Sequence, residues 1–456
     1  MSRPIVGFLL LLTLAACQTE DSRVVTQQVS PEGQTFTFMP VYEDGVTDIS
    51  IEIAWPTTWA YEDNRNPAVP FVATRAILSG GTTKLQPQDL MLMFEDTNTY
   101  GNLAATPQHV FGSLSFPKEH TSSVLDVVAE MLAQPLFDAR WFEREKSIFA
   151  DAIEAQSKTA EQQMWAAARS AIFEDQAVLS TLNLMDPDVV MDVTVADARD
   201  WQTSFITKKN AVVVVTGAIS SKDAGKAVDK LLSGLPEGER EEIRNATANF
   251  QPVEILLHDP KAAKTTIGLI GQLPWDQRGL FYDDNLAMGF FSRSGQSALF
   301  DAVRSDLRAS YDVFAGVENF DAENRLLYIS TGVETRKLAA ARDLIRTTYE
   351  TYRTAPDFSG FDTYRRGFAD FVAEDIDYID GAADAILLLE LFGQDSSLVP
   401  QAEEFVLNTK ASDVANRMKN VFPQADRLIV VAVSPDAQAM PGACVITTID
   451  QAKDCR

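Results

Sequence analysis

The side chains best suited to catalysis are scarce and poorly grouped in this sequence. Its three histidines are His109, His120 and His258. Neither His109 nor His120 has a histidine or glutamate at the one-turn helical spacing of a catalytic zinc site, and His258 stands alone in Leu-His-Asp-Pro. His109 and His120 flank a strand pattern and read as exposed or hydrogen-bonded rather than ligating. The three cysteines, Cys17, Cys444 and Cys455, lie near the two chain ends with no histidine beside them, which argues against a thiol nucleophile. No Gly-x-Ser-x-Gly turn is present to expose a serine nucleophile. Asp375, Asp377 and Asp380 lack the loop glycine and terminal glutamate of a calcium hand and read as a solvated stretch. Any chemistry must therefore come from residues placed by a larger pattern of elements.

The chain has 456 residues, enough for two or three cores, with 46% hydrophobic and 23% charged residues, an ordinary globular balance. The 39 Lys and Arg against 65 Asp and Glu give a net charge of −26, with no basic cluster to hold phosphates, so nucleic acid is excluded as a partner. Arg3, the apolar run Ile5 to Leu14 and the sequence Leu14-Ala15-Ala16-Cys17 resemble a bacterial lipoprotein signal, too short to span a bilayer. Residues 1–16 are then the signal peptide, Cys17 carries the lipid, and polar residues 17–34 form a tether. Cys444 and Cys455, 11 residues apart (455 minus 444), can close a small disulfide loop in an oxidising periplasm.

Ile49, Ile51, Ile53 and Trp55 alternate with polar residues, which predicts a half-buried strand. A helix is expected over 68–79, with Pro70 in its first turn and Gly80-Gly81 at its end, followed by a second over 87–96. Strands near 100–105 and 109–116, helices around 124–132, 139–172 and 195–206, and a buried strand at 210–216 complete a first unit, 35–235. Trp55 and Trp59 read as packing residues. The charged, turn-rich stretch 236–250 reads as a linker. The order then repeats over 251–456, with strands at 253–257 and 265–270, helices at 283–292 and 296–306 broken by Ser294-Gly295, strands at 311–317 and 324–331, helices at 336–352 and 358–374, and a late strand at 427–434. Ser79-Gly80-Gly81 and Ser294-Gly295 both end a first helix. Phe149-Ala150-Asp151 and Phe368-Ala369-Asp370 recur 219 residues apart (368 minus 149). The expected fold is α/β, of the α+β kind, in two tandem homologous units.

Over nearly the whole chain this pattern resembles the pitrilysin/insulinase family of zinc peptidases, the inverzincins, which include mitochondrial processing peptidase. That resemblance implies a mostly antiparallel sheet packed with helices in each unit, the pair forming half of a clamshell. Active members carry His-x-x-Glu-His on a helix before a Lys-Gly-Thr-type turn. The matching stretch here has Pro70 and Thr74 at the ligand positions and Ala73 at the base position, with Gly81-Thr82 following. The family's third ligand is the last residue of a Glu-Arg-x-Val-x-x-x-Glu pattern. Here Glu145 is kept and Ala152 takes the ligand's place, with Asp151 rotated about 100° around the helix from it. The resemblance therefore implies a chain that binds no metal itself.

Ser294-Gly295-Gln296-Ser297-Ala298-Leu299-Phe300 through Arg304, and then Tyr311-Asp312-Val313, resemble the family's second signature, with Arg and Tyr seven apart (311 minus 304). In members that have the pair, it contacts substrate near the scissile carbonyl. The implied role is a non-catalytic subunit of a heterodimeric peptidase, with the zinc in a partner bearing an intact His-x-x-Glu-His. Arg304 and Tyr311 would then act in trans on a peptide or unfolded polypeptide. The competing reading is a degenerate, lipid-anchored relative that binds peptides or organises an envelope complex as a scaffold. The expected location is the bacterial periplasm, on the inner or outer membrane. Replacing Cys17 with Ala should move the protein from the membrane pellet to the soluble periplasmic fraction, since loss of acyl chains removes the anchor. A Cys17→Ala chain that still pellets with membranes rules the lipid out.

Overall fold

The computed structural model describes residues 22–275, 282–293, 295, 297–306 and 313–456. The signal peptide, Cys17, Ser294, Gln296 and Tyr311 lie outside the described residues.

The first sheet holds β1 (Thr26–Val29), β2 (Thr35–Pro40), β3 (Asp48–Pro56), β4 (Tyr100–Ala105), β5 (His109–Pro117) and β6 (Val212–Gly217), in the order β1-β2-β6-β3-β5-β4. The second holds β7 (Glu254–His258), β8 (Thr265–Gln272), β9 (Val313–Asn319), β10 (Arg325–Val333), β11 (Ile429–Ser434) and β12 (Cys444–Ile446), in the order β12-β7-β11-β8-β10-β9. Five strands correspond one to one. β2 runs parallel to β6 as β7 does to β11, and the neighbours beyond, β3-β5-β4 and β8-β10-β9, are antiparallel throughout. The sheets are thus mixed but mostly antiparallel.

Six helices matter most: α1 (Val69–Ser79), α2 (Ala139–Ser157), α3 (Ala160–Ile172), α4 (Tyr282–Ser292), α5 (Phe361–Asp377) and α6 (Ile379–Leu391). The offset of 219 residues carries α3 onto α6 at both ends (379 minus 160, 391 minus 172). These two helices do not stay with their own halves. Helix α3 packs on β8 and β11 of the second sheet, and α6 packs on β3 and β6 of the first. Small residues let them lie close: Ala167, Ala168 and Ala171 in α3, Ala382 and Ala383 in α6, all buried. Gly268 of β8 leaves room for Met164, since a Cβ there would sit 2.5 Å from its sulfur. Ile386, Leu387 and Leu389 bring α6 about 1.5–3 kcal/mol each of apolar burial. Hydrogen bonds fix its register: Thr216 Oγ1 donates to the Ile379 carbonyl at 2.6 Å, and Thr37 Oγ1 to Glu390 Oε1 at 2.5 Å.

This exchange corrects one expectation. β3 is not half-buried. Its polar residues Ser50 and Glu52 are as enclosed as its isoleucines, because α6 covers their face. Residues 35–235 and 251–456 each lend a helix to the other's sheet. The tether of 17–34 also shortens. Thr26–Val29 is an edge strand paired with β2, and Arg23 donates to the Ile376 carbonyl at 2.9 Å and pairs with Glu43 at 2.6 Å. Its polar sequence reflects an edge strand with one face in water. Residues 236–250 are irregular but held: the Ala246 amide donates to Asp321 Oδ2 at 2.9 Å, and Asn324 Nδ2 donates to the Ala246 carbonyl at 2.7 Å.

The second half also encloses a charge network. Asp284, in the first turn of α4, accepts from Arg417 Nε at 2.5 Å and Nη2 at 2.7 Å, and pairs with Arg325. Asp284 and Arg325 are almost wholly buried, so their charges depend on each other. Asp284→Asn takes the counter-charge from an enclosed guanidinium and should cost about 3–5 kcal/mol of stability. The urea unfolding midpoint measures this; an unchanged midpoint contradicts the assignment.

Candidate functional site

Helix α1 begins at Val69 with Pro70 in its first turn, where a missing amide proton costs nothing, and it ends at Gly80. Gly81 takes φ +77°, and a Cβ there would lie 2.6 Å from the Leu85 carbonyl, so the turn requires glycine. Thr82 then closes it, its amide donating to Leu85 O at 2.8 Å and its Oγ1 accepting from the Lys84 and Leu85 amides. The helix and turn of the expected metal site are therefore built.

The chemistry at the ligand positions is absent. Pro70, Ala73 and Thr74 are buried in α1, and the Thr74 hydroxyl donates to the Pro70 carbonyl at 2.9 Å, inside its own helix. The partner helix α2 does pack against α1. The Phe71 and Phe149 rings stand 5.9 Å apart, and the Arg75 guanidinium lies 4.2 Å over the Phe149 ring. Burial lowers the Arg75 pKa, and Glu145 opposes that shift. Ala152, one turn beyond Phe149, is exposed. An aromatic and guanidinium stack thus joins the two helices, and none of the four positions offers a metal donor. Among the described residues, no three His, Cys, Asp or Glu side chains form a metal-binding group. The residues at these four positions do not fit zinc. Beside α1 lies β4, the edge strand, whose described strand partner is β5 alone.

Arg304 lies on the helical turn Asp301–Asp306, which follows the short helix Ala298–Phe300 capped by Ser297. It is exposed, with its guanidinium 5.0 Å over the Phe300 ring. Tyr311 is among the residues that are not described. Cys444 and Cys455 form a disulfide with Cα atoms 5.8 Å apart. It fastens the C-terminal segment Ile449–Cys455, which packs on α3.

Two sequence readings change here. His109 is 6% exposed, and its Nε2 has no hydrogen-bond partner among the described residues. Burial pushes its pKa down to about 4, so it is neutral. Asp377 stays in solvent beside Arg23, but Asp375 and Asp380 line a cavity with Glu52 and Asp384. The available signal was Glu52 itself, a carboxylate at the centre of an Ile-x-Ile-x-Ile strand.

Residues 60–186 match the family model for insulinase, peptidase family M16, and residues 192–366 match that for the peptidase M16 inactive domain. No curated protein matches. Among solved structures, the peptidase M16 inactive domain from Pseudomonas fluorescens superposes with a TM-score of 0.78 at 16% identity, covering 90% of this chain and 98% of that one. A protease from Helicobacter pylori gives 0.74 at 12%, with 90% and 99% covered. The first half of the periplasmic protease PqqL from Escherichia coli gives 0.67 at 14%, with 95% and 96% covered. At these identities the likeness is one of fold.

Purified alone and dialysed, the chain should retain no stoichiometric zinc and cleave no peptide, because none of the four ligand and base positions has a suitable donor. One zinc per chain by elemental analysis, with chelator-sensitive cleavage, contradicts this.

Proposed function

Because the chain belongs to the insulinase family of peptidases, family M16, and carries the inactive type of domain, we propose that it is the non-catalytic, substrate-binding subunit of a heterodimeric periplasmic zinc metallopeptidase. The observation that carries this reading is a preserved frame with its metal site emptied. Helices α1 and α2, the Gly81-Thr82 turn and the edge strand β4 are all built, while Pro70, Ala73, Thr74 and Ala152 offer nothing to a metal. Zinc then belongs to a partner subunit with an intact His-x-x-Glu-His.

An extended peptide can add to the outer edge of β4, where main-chain hydrogen bonds give affinity without regard to sequence. Arg304 and Tyr311 serve the reaction in trans. The Tyr311 phenol donates a hydrogen bond to the oxygen that gains charge at the scissile carbonyl, and the Arg304 guanidinium holds a neighbouring peptide carbonyl in place. Periplasmic location accords with the PqqL likeness and with the signal sequence. The lipid at Cys17 attaches the chain to the membrane; no helix among the described residues is long and apolar enough to cross one.

The test is to co-purify this chain with its zinc-bearing partner and measure steady-state kinetics. Tyr311→Phe keeps the ring and loses one donor, so kcat should fall about 10²–10³-fold with the complex intact. Arg304→Ala should raise KM as well as lower kcat. Unchanged kcat/KM in both variants, with the complex intact, would leave the scaffold reading.

A further inference from the structure

Where the two halves meet, two cavities adjoin and share Asp375, Gly381 and Asp384 on their walls. The first, about 480 Å³, lies over the first sheet, with Glu52 of β3, Ser113 and Ser115 of β5 and Tyr100 of β4 facing the α5–α6 junction. The second, about 440 Å³, continues toward α4 and β9 and is lined by Tyr282, Tyr364, Phe368 and Phe371. Together they make a groove reaching from the edge strand of one sheet to that of the other.

Its chemistry is one-sided. Four carboxylates stand on the walls, of Glu52, Asp375, Asp380 and Asp384, and among the described residues no Lys or Arg lines either cavity. Glu52 is 4% exposed. Its Oε2 accepts from Ser113 Oγ at 2.6 Å, while Oε1 has no hydrogen-bond partner among the described residues. A carboxylate so enclosed needs a cation or a proton, and burial, with Asp384 and Asp380 nearby, pushes its pKa up to about 8. At neutral pH a proton fills that role, and a cation entering with a ligand can take its place. Three aromatic side chains stand open at the groove, Tyr100 at 62%, Phe371 at 64% and Tyr378 at 63% exposure, an unusual display for large rings. Aromatic faces attract ammonium and guanidinium groups and also cover aliphatic stems. The carboxylates do not converge as metal ligands do, so a bare divalent ion fits poorly.

We propose that this groove is a subsite for Lys or Arg side chains of a bound polypeptide, with the stem along the exposed rings and the charged head among Glu52, Asp375 and Asp384. The proposal rests on the chain being a polypeptide-binding subunit, and it gives that subunit a preference for basic segments. The groove needs both halves, because Glu52 comes from β3 and the aspartates from the α5–α6 junction.

The experiment uses the mature chain alone, without its zinc-bearing partner. A short fluorescein-labelled peptide carrying lysines is titrated by anisotropy, beside the same peptide with norleucine in their place. The lysine peptide should bind at least about tenfold tighter, and the double variant Asp375→Asn/Asp384→Asn should erase that difference. Glu403→Gln/Glu404→Gln, an equal change of charge at exposed positions elsewhere, should leave it in place. Equal loss in the two double variants would mean only the general attraction of a chain of charge −26, and overturns the subsite. So would equal binding of the two peptides, or no binding of either. Unchanged thermal unfolding of both variants confirms that they are folded. Because this assay needs neither zinc nor Tyr311, the groove can fail while the trans role of Arg304 and Tyr311 stands, and the reverse.

Discussion

Each sheet of this chain has a face that its own half leaves uncovered, and the helix that covers it comes from the other half. Helix α3 lies on the second sheet and α6 on the first, at the same offset in the repeat. Everything nearby follows from that exchange. It encloses Ser50 and Glu52, merges hydrophobic residues of both halves such as Met39, Ala54, Ile386 and Leu387 into one core, and brings the α5–α6 junction over the first sheet. Separating the halves would expose two apolar faces at once, so they hold a fixed relation rather than swing as loosely tethered domains.

Local elements were legible in the sequence because local rules make them. The alternation of Ile49, Ile51 and Ile53 gives β3, the glycines after Ser79 end α1, and the repeated Phe-Ala-Asp triplets mark α2 and α5 as equivalent. Which helix covers which sheet was not legible, since periodicity marks a helix's buried face without saying whose sheet it meets. The misreadings share that cause. Glu52 and Ser50 look like a solvated face until α6 is placed on them, and Asp375 and Asp380 look like a solvated run until β3 faces them. Burial of His109 likewise depends on its tertiary surroundings, to which sequence spacing is blind.

The packing around Pro70, Ala73 and Thr74 shows what holds this frame together. Val72, Ala73, Ala76 and Ile77 bury the inner side of α1, and Phe71, Arg75 and Phe149 join it to α2. None of these contacts needs a metal. A catalytic centre of this kind is laid on a scaffold that is already stable, so its ligands can be lost without unfolding it. The positions that would fail on substitution lie elsewhere, at Asp284 with Arg325 and Arg417, where enclosed charges depend on one another.

The exchange of α3 and α6 also sets an order in time. A chain emerging from its N-terminus can form β1 to β6 and the helices between, but the polar face of β3 and the adjoining β6 must wait for residues 379–391. Until then, a nearly complete first sheet presents Ile379's future seat, Ala54 and Glu52 to solvent or to any neighbouring strand. Pairings of such sequence separation form slowly, because the intervening loop must close before the contact rewards it. The first half is therefore an unfinished intermediate for most of synthesis, prone to stray association. Its completion coincides with that of the second half, so the two units mature together.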